Sequence, residues 1–328
     1  MLTANQITFQ ACQDARIGGA IDRAQIKLQI ILDDLCLKHD FALARGVYYF
    51  PLNPTLITTI GGIANFGGPY PLPLDYLRTS GSSGSEGVQY AFFYVYNGVP
   101  YPLRPRDLGN LDMQVQQPGT QNLPYSFATD ISPETTAQDR IAGTTTAATV
   151  AGSNQIVVFS PVNMQVGMAI AGNGIAPGST ITAFDNSVPD VFTVILSLTA
   201  TATFVAVSGP GAAAVMFGTP PNAFVYPGPS GAFPTTLRYQ RLMPPLLDFG
   251  RVPWFPDQKY LLKELTSLMM DTSDDTRSAA KSAEAARLLG EYEVFSDDKT
   301  NRAQTVILDS NRFGRGFNKL RNTKTIGW

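Results

Sequence analysis

In Pro256-Asp-Gln-Lys-Tyr-Leu-Leu-Lys-Glu-Leu-Thr-Ser-Leu-Met-Met270, a Pro-Asp start signal precedes Leu261, Leu262, Leu265, Leu268 and Met269 at helical spacing. Asp271–Asp275 breaks that helix and caps a second, over about 274–294, with Ala279, Ala283, Ala286, Leu289 and Tyr292 along one stripe. Small residues on that face allow close approach of another helix. The other chain end carries a matching pair. Thr3-Ala-Asn-Gln6 has the pattern of a capping box, ahead of Ile7, Ala11, Cys12 and Ala15. Gly18-Gly19 breaks the run, and Ile26, Ile30, Leu32 and Leu35 mark a second helix at about 22–39. Each pair leaves one apolar face uncovered. The expected fold class is therefore α+β: an antiparallel helical bundle built from both chain ends, with projecting β-hairpins.

The hairpins come from short strand patterns at Val47-Tyr-Tyr-Phe50, Leu56–Ile60, Gln89–Tyr96 and Leu111–Gln116. Gly- and Pro-rich turns separate them, and the polar Ser80–Gly87 reads as an exposed hairpin tip. A different chemistry occupies the middle. From Arg140 to Arg238 there is no intervening Lys or Arg, and Asp185 and Asp190 are the only acids within about 140–219. Phe192, Val194, Leu196 and Leu198 alternate with smaller residues there, between Gly-marked turns. This predicts an inserted all-β domain over 142–218, a sandwich or barrel, within a core of 1–141 and 219–299. Residues 300–328 differ again, and form an extended C-terminal arm.

The whole chain of 328 residues carries 24 basic and 26 acidic side chains, a near-neutral balance that argues against nucleic acid or anionic lipid as the main partner. No apolar run reaches the ~18 residues of a membrane helix, and the first residues lack the pattern of a secretory signal. Cys12 and Cys36 are too few for a disulfide framework. The single histidine, His39, would have to serve any Ser–His–Asp triad, Cys–His pair or histidine-based zinc site. Cys36 and His39 could share a helix face, but no second pair of ligands accompanies them. They read as a core cysteine and a histidine at a helix C-terminus. The carboxylate pairs Asp33/Asp34, Asp274/Asp275 and Asp297/Asp298 are adjacent residues that point apart on a helix or serve as caps. Trp254-Phe255 reads as a hydrophobic staple. No catalytic residue, metal site or cofactor is expected, and the chain is not read as an enzyme.

The arm holds Arg302, Arg312, Arg315, Lys319, Arg321 and Lys324 against Asp309, interleaved with Phe313, Phe317, Leu320, Ile326 and Trp328. Three uses compete: docking of aromatic and Arg anchors on a protein, a solvated tail, and single-strand binding. The near-neutral balance of the rest weighs against the last. Arg312, Phe313, Arg315, Phe317, Lys319, Leu320, Arg321, Lys324 and Trp328 are the candidate site residues, as anchors on a protein partner.

In order and pattern, several stretches together resemble the head-to-tail adaptors (connector, or packaged-DNA stabilisation proteins) of short-tailed bacteriophages. They are the two N-terminal helices, Phe41-Ala, Tyr70-Pro-Leu-Pro-Leu-Asp-Tyr-Leu-Arg78, Val252-Pro-Trp-Phe-Pro-Asp-Gln258 and Lys324-Thr-Ile-Gly-Trp328. The likeness covers about 250 residues of the flanks. Ala151–Ala171 and Gly174–Thr182 are similar to a small β module that recurs in phage structural proteins, and this insertion departs from smaller adaptors. The resemblance implies a homo-oligomeric ring, twelve-fold in that family, below the portal protein, with the arms reaching into the portal. Tail nozzle or fibre proteins would lie on the other side, and double-stranded DNA would pass without sequence-specific binding. Location would be the virion neck, after assembly in the host cytoplasm, with no membrane partner. Two other classes remain in play: a tail-fibre or spike-attachment protein, which the Thr/Gly-rich β module favours, and a virion-borne hydrolase, which should show a polar catalytic cluster.

Overall fold

The computed structural model describes residues 1–39, 41–55, 57–58, 66–79, 91–107, 109, 121–131, 140–185, 191–209, 211–272, 275–299, 305–308 and 324–327. Helices α1 (Ala4–Asp14) and α2 (Ile21–Lys38) open the chain. Strands β1 (Arg45–Leu52), β2 (Ile57–Thr58), β3 (Phe66–Pro71), β4 (Tyr76–Thr79), β5 (Phe92–Tyr96), β6 (Val99–Pro102), β7 (Arg104–Pro105) and β8 (Ser126–Thr129) follow. Next come β9 (Ile141–Thr149), β10 (Gln155–Val158), β11 (Ala169–Gly172), β12 (Ile181–Asp185), β13 (Phe192–Leu196) and β14 (Ala213–Gly218). After β15 (Asn222–Tyr226) and β16 (Phe233–Arg241) come helices α3 (Gln258–Asp271) and α4 (Ser278–Lys299), then β17 (Thr305–Leu308) and β18 (Lys324–Gly327).

Among the described residues the molecule is mostly β, with four helices of eleven residues or more against three large sheets, so the expected helical bundle built from both chain ends is corrected. The physical reason lies in β16. Phe233, Thr235, Leu237 and Tyr239 alternate inward, and the strand pairs along its whole length with β1 on one side. Its other side takes β5 and then β4. The flanking strands therefore do not project as separate hairpins. They build two five-stranded sheets, β1-β16-β5-β6 with β4 beside β16, and β2-β3-β15-β8-β7, which together form the sandwich of the body. Leu52, Tyr70, Phe92, Tyr94, Phe127, Val225, Leu237 and Tyr239 fill one cluster between them. Asn97 and Gly98 both take positive φ between β5 and β6, the geometry of a two-residue hairpin loop.

Among the described residues, strands β9 to β14 pair with one another, in the order β11-β14-β9-β10-β13-β12. The edges then meet: Ile170 N–H donates to Ser179 O (3.0 Å) and Ile181 N–H to Met168 O (2.8 Å), closing the sheet into a barrel. Ile156, Val158, Val194, Leu196, Val215 and Phe217 fill it. Arg140 and Thr219, at its two ends, are joined by a 3.0 Å backbone hydrogen bond. A separate apolar patch seats the barrel on the body: Ala169, Ala171 and Met216 against Leu74 and Leu242. Gly178, at φ +79°, lies on the ring of Tyr48, and a Cβ there would strike it.

The helices share one cluster drawn from both chain ends, packed beyond β4 and β16. Arg78 Nη1 donates to Leu37 O (3.0 Å) at that junction. The Thr3–Gln6 capping box forms in both directions, and Ile7, Ala11, Cys12 and Ala15 all face inward. Asp257 caps α3 by accepting from the N–H groups of Lys259 and Tyr260. Phe255 does more than staple the chain. It is fully buried, with ring centroids of Phe41, Trp254, Tyr260 and Tyr292 at 5.1, 5.7, 5.6 and 4.9 Å. Helix α2 corrects the sequence reading in one respect: Leu28, Ile31, Leu32 and Leu35 face the cluster, whereas Ile26 and Ile30 face solvent. On α4, Leu289 and Tyr292 pack inward while Ala279, Ala283 and Ala286 are exposed.

Candidate functional site

Of the nine arm residues singled out in the sequence, Lys324 alone is described, at the start of β18. Arg312, Phe313, Arg315, Phe317, Lys319, Leu320, Arg321 and Trp328 lie outside the described residues. The backbone pairing is antiparallel and joins Thr305 to Gly327 and Leu308 to Lys324. The expected extended C-terminal arm over 300–328 therefore holds one described pair of strands, and the rest of it lies outside the described residues.

Most candidate polar groups of the described body are paired within the fold. His39 ends α2, stacks on Phe41 with centroids 5.6 Å apart, and pairs through Nδ1 with Glu293 of α4. Beside it a groove of about 250 Å³ runs between α2 and α4 over α3, lined by Asp34, Lys38, Tyr260, Glu264, Ser282 and Ala286. Burial pushes the Glu264 carboxyl up, with Lys38 opposing. Burial likewise pushes the Tyr260 phenol up, helped by the charges of Glu264, Asp34 and Glu293. A phenol shifted that way stays protonated, and among the described residues the groove lacks an activated nucleophile. Among the described residues no serine hydroxyl or cysteine thiol is hydrogen-bonded to a histidine or carboxylate.

The carboxylate pairs divide between separate tasks. Asp33 accepts from Gln29 (2.7 Å), and burial raises its carboxyl; Asp34 pairs with Lys38 (2.7 Å). Asp275 holds Arg277 in an exposed pair, and the hydrogen bonds from Arg277 lower its carboxyl to about 2. Asp274 and the side chains of Asp297 and Asp298 lie outside the description. Cys36 is buried, and desolvation moves its thiol up to about 11, away from reactivity.

The strongest polar network sits at the joint of barrel and body. Asp75, 1% exposed, accepts from Tyr239 Oη (3.0 Å) and Arg241 Nε (2.6 Å). Arg241 Nη2 reaches Gly172 O of β11 at 3.5 Å, so the ion pair also ties the barrel down. Burial and then the Asp75 charge push the Tyr239 phenol up. For Arg241, burial works against the charge, but Asp75 outweighs it and the guanidinium stays charged.

Among the described residues no group of three or more His, Cys, Asp or Glu side chains could hold a metal ion. No described helix is long and apolar enough to cross a membrane. What the surface does offer is apolar area: Ile26, Ile30 and Leu37 on α2, and Val150, Phe159, Val162 and Val166 on the barrel, are all exposed. Sequence reading missed the α2 set because it assigned Ile26 and Ile30 to the core stripe. The signal was present as angle, since at 100° per residue they point away from Leu28 and Leu35. No family model and no curated protein matches the chain.

Proposed function

We propose that the chain is a structural subunit of a phage neck, forming a ring that joins the portal to the tail and surrounds the passage of packaged DNA. The observation that carries this reading is the gathering of both chain ends. Helices α1 to α4 share one cluster, and the basic, aromatic segment follows directly from α4. That segment supplies Arg and aromatic anchors of the kind that dominate protein interfaces, with the portal as its partner. The structural partners of His39, Asp75 and the carboxylate pairs support a role in assembly over one in chemistry. A near-neutral chain with net charge −2 suits a channel through which DNA slides without sequence-specific contacts.

A second reading, attachment of a tail fibre or spike, is favoured by Phe159, Val162 and Val166, which the barrel exposes at 63%, 67% and 59%. Negative-stain images of the purified chain, alone and mixed with portal protein, separate the two. Rings seated under the portal are expected. A chain that leaves the portal bare but decorates fibre ends would overturn the first reading in favour of the second. Removal of residues 311–328 should abolish portal attachment while the subunit stays folded, because the described core of four helices closes without them.

A further inference from the structure

Helix α2 is apolar on two sides. Ala24, Leu28, Ile31, Leu32, Leu35 and Cys36 face the core, yet Ile26, Ile30 and Leu37 are 64%, 52% and 39% exposed. At 100° per residue these three lie within about 40° of one another, diametrically opposite Leu28 and Leu35. Polar residues such as Asp22, Lys27 and Asp34 flank this second stripe, so α2 carries two apolar stripes where a surface helix of a single subunit needs one. Among the described residues of the subunit, one side is covered.

Helix α4 has the opposite relief. Ala285, Leu288, Leu289 and Tyr292 pack on the cluster, and Ala279, Ala283 and Ala286 are exposed. Gly290 continues that row, and a Cβ there would meet nothing within 4 Å. Glycine inside a helix costs about 1 kcal/mol relative to alanine, and among the described residues no neighbour uses the space it leaves. The row 279, 283, 286, 290 has the same 4-3-4 spacing as Ile26, Ile30, Asp33 and Leu37. Matched rows of this kind let two helices lie along each other at a shallow angle.

We propose that the outer face of α2 packs antiparallel on the outer face of α4 in a second copy of this chain. The bulky row of one copy fills the shallow row of the next. Setting Ile26 against Gly290, Ile30 against Ala286 and Leu37 against Ala279 brings the exposed Arg23 beside Glu291, on the same flank of the contact, as a second cation for a carboxylate that already pairs with Arg287 on its own helix. The antiparallel arrangement also sets opposite helix dipole ends together. Because the two faces differ, each copy keeps one of each kind free. The contact is heterologous and propagates until it closes. The inference deepens the ring reading and rests on it for closure alone.

The test is cysteine trapping in the full chain. Ile30→Cys and Ala286→Cys are made in separate proteins, both at exposed positions, while Cys12 and Cys36 stay buried at 3% and 1%. Under mild oxidation a disulfide-linked dimer is expected in the mixture and not in either protein alone. Adding Arg23→Glu should lower the yield several-fold, and Glu291→Arg in the partner should restore it. Absence of the mixed dimer, or equal linking of Ile30→Cys to itself, overturns the proposal. Imaging with portal decides the ring separately, so a true ring with no mixed dimer condemns this interface and leaves the function standing.

Discussion

The barrel and the helical layer each enclose an apolar cluster, but they draw it from the chain in opposite ways. Every strand of the barrel lies between Ile141 and Gly218. The helical cluster joins Ala4 through Phe41 to Phe255 through Ala285. The barrel can close as soon as its own residues are made. The helices must wait for a loop of more than two hundred residues to be closed, a cost that the sheets between them reduce by folding first. Composition follows the same split. The barrel surface holds its place with Thr, Gly and Ala and almost no charge, whereas the helices pair charges such as Lys38 with Asp34 and Lys263 with Glu284.

The largest effect that can test this contrast is in the aromatic cluster. Phe255→Ala removes a fully buried ring that touches both ends of the helical layer. A loss of about 3–5 kcal/mol is expected in denaturant unfolding. Amide exchange should show α1 to α4 losing protection first while β9 to β14 keep theirs. Equal loss in both regions would mean that the molecule unfolds as one unit and that the contrast has no energetic content.

Excision of the barrel is the next largest. Because Arg140 and Thr219 already share a backbone hydrogen bond, a short Gly/Ser linker can replace residues 141–218 without moving the strands that flank it. The remainder should fold with its helices intact. It should be weaker by about 2 kcal/mol, since Leu74 and Leu242 lose the cover of Ala169, Ala171 and Met216. Arg241 also loses its contact with Gly172. Failure of cooperative unfolding in the shortened chain would show that the sandwich leans on the barrel for more than that patch.

How far the sequence could be read follows the same line between local and distant contacts. The Thr3–Gln6 box and the Asp257 cap are signals within four residues, and both form. The break in charge at Arg140 marked where the barrel strands begin. Strand β16 went unread although Phe233, Thr235, Leu237 and Tyr239 alternate, because Arg238, Gln240 and Arg241 gave it a polar look. Gln240 is in fact fully buried and reaches His39 O, and Arg241 is spoken for by Asp75. No local pattern announces such distant partners. Missing β16, together with β3, β8 and β15 of the second sheet, turned a two-sheet body into a set of projections and gave the helices a central role they do not have. The arm residues could be named from composition, but all except Lys324 lie outside the described residues.

Alkaline pH should separate the two regions by a smaller margin. The barrel stretch 141–218 has no Cys, Tyr, His, Lys or Arg to titrate there. The helical layer holds Cys36, which burial raises from 9.0 to about 11, and the sandwich holds Tyr70 and Tyr76, raised by burial to about 12. For a group held protonated by the fold, the unfolded chain loses its proton first. Stability is complete below pH 9 and falls as pH climbs toward the folded value. The Cys36 contribution should amount to about 2 kcal/mol or less by pH 11. Unfolding curves at pH 8 and pH 10.5 for wild type and Cys36→Ala should converge as pH rises. Parallel pH slopes for the two proteins would show that the thiol is not held as its burial implies.

The smallest effect on the subunit is expected where α2 turns its second apolar face outward, and its smallness is informative. Leu35 and Ile30 sit on one helix, but Leu35 is 2% exposed and Ile30 is 52%. Leu35→Ala should cost about 2–5 kcal/mol, since it opens a cavity beside Leu28 and Leu32. Ile30→Gln in dilute solution should stay within about 0.5 kcal/mol, the range for surface changes away from caps, cores and buried charges. If Ile30→Gln instead costs as much as Leu35→Ala, something within the subunit covers that face and the outer row of α2 is part of the core. If it leaves dilute stability unchanged but removes the concentration dependence of the melting temperature, the face is used between copies. Binding that stabilises the folded state must show itself through concentration.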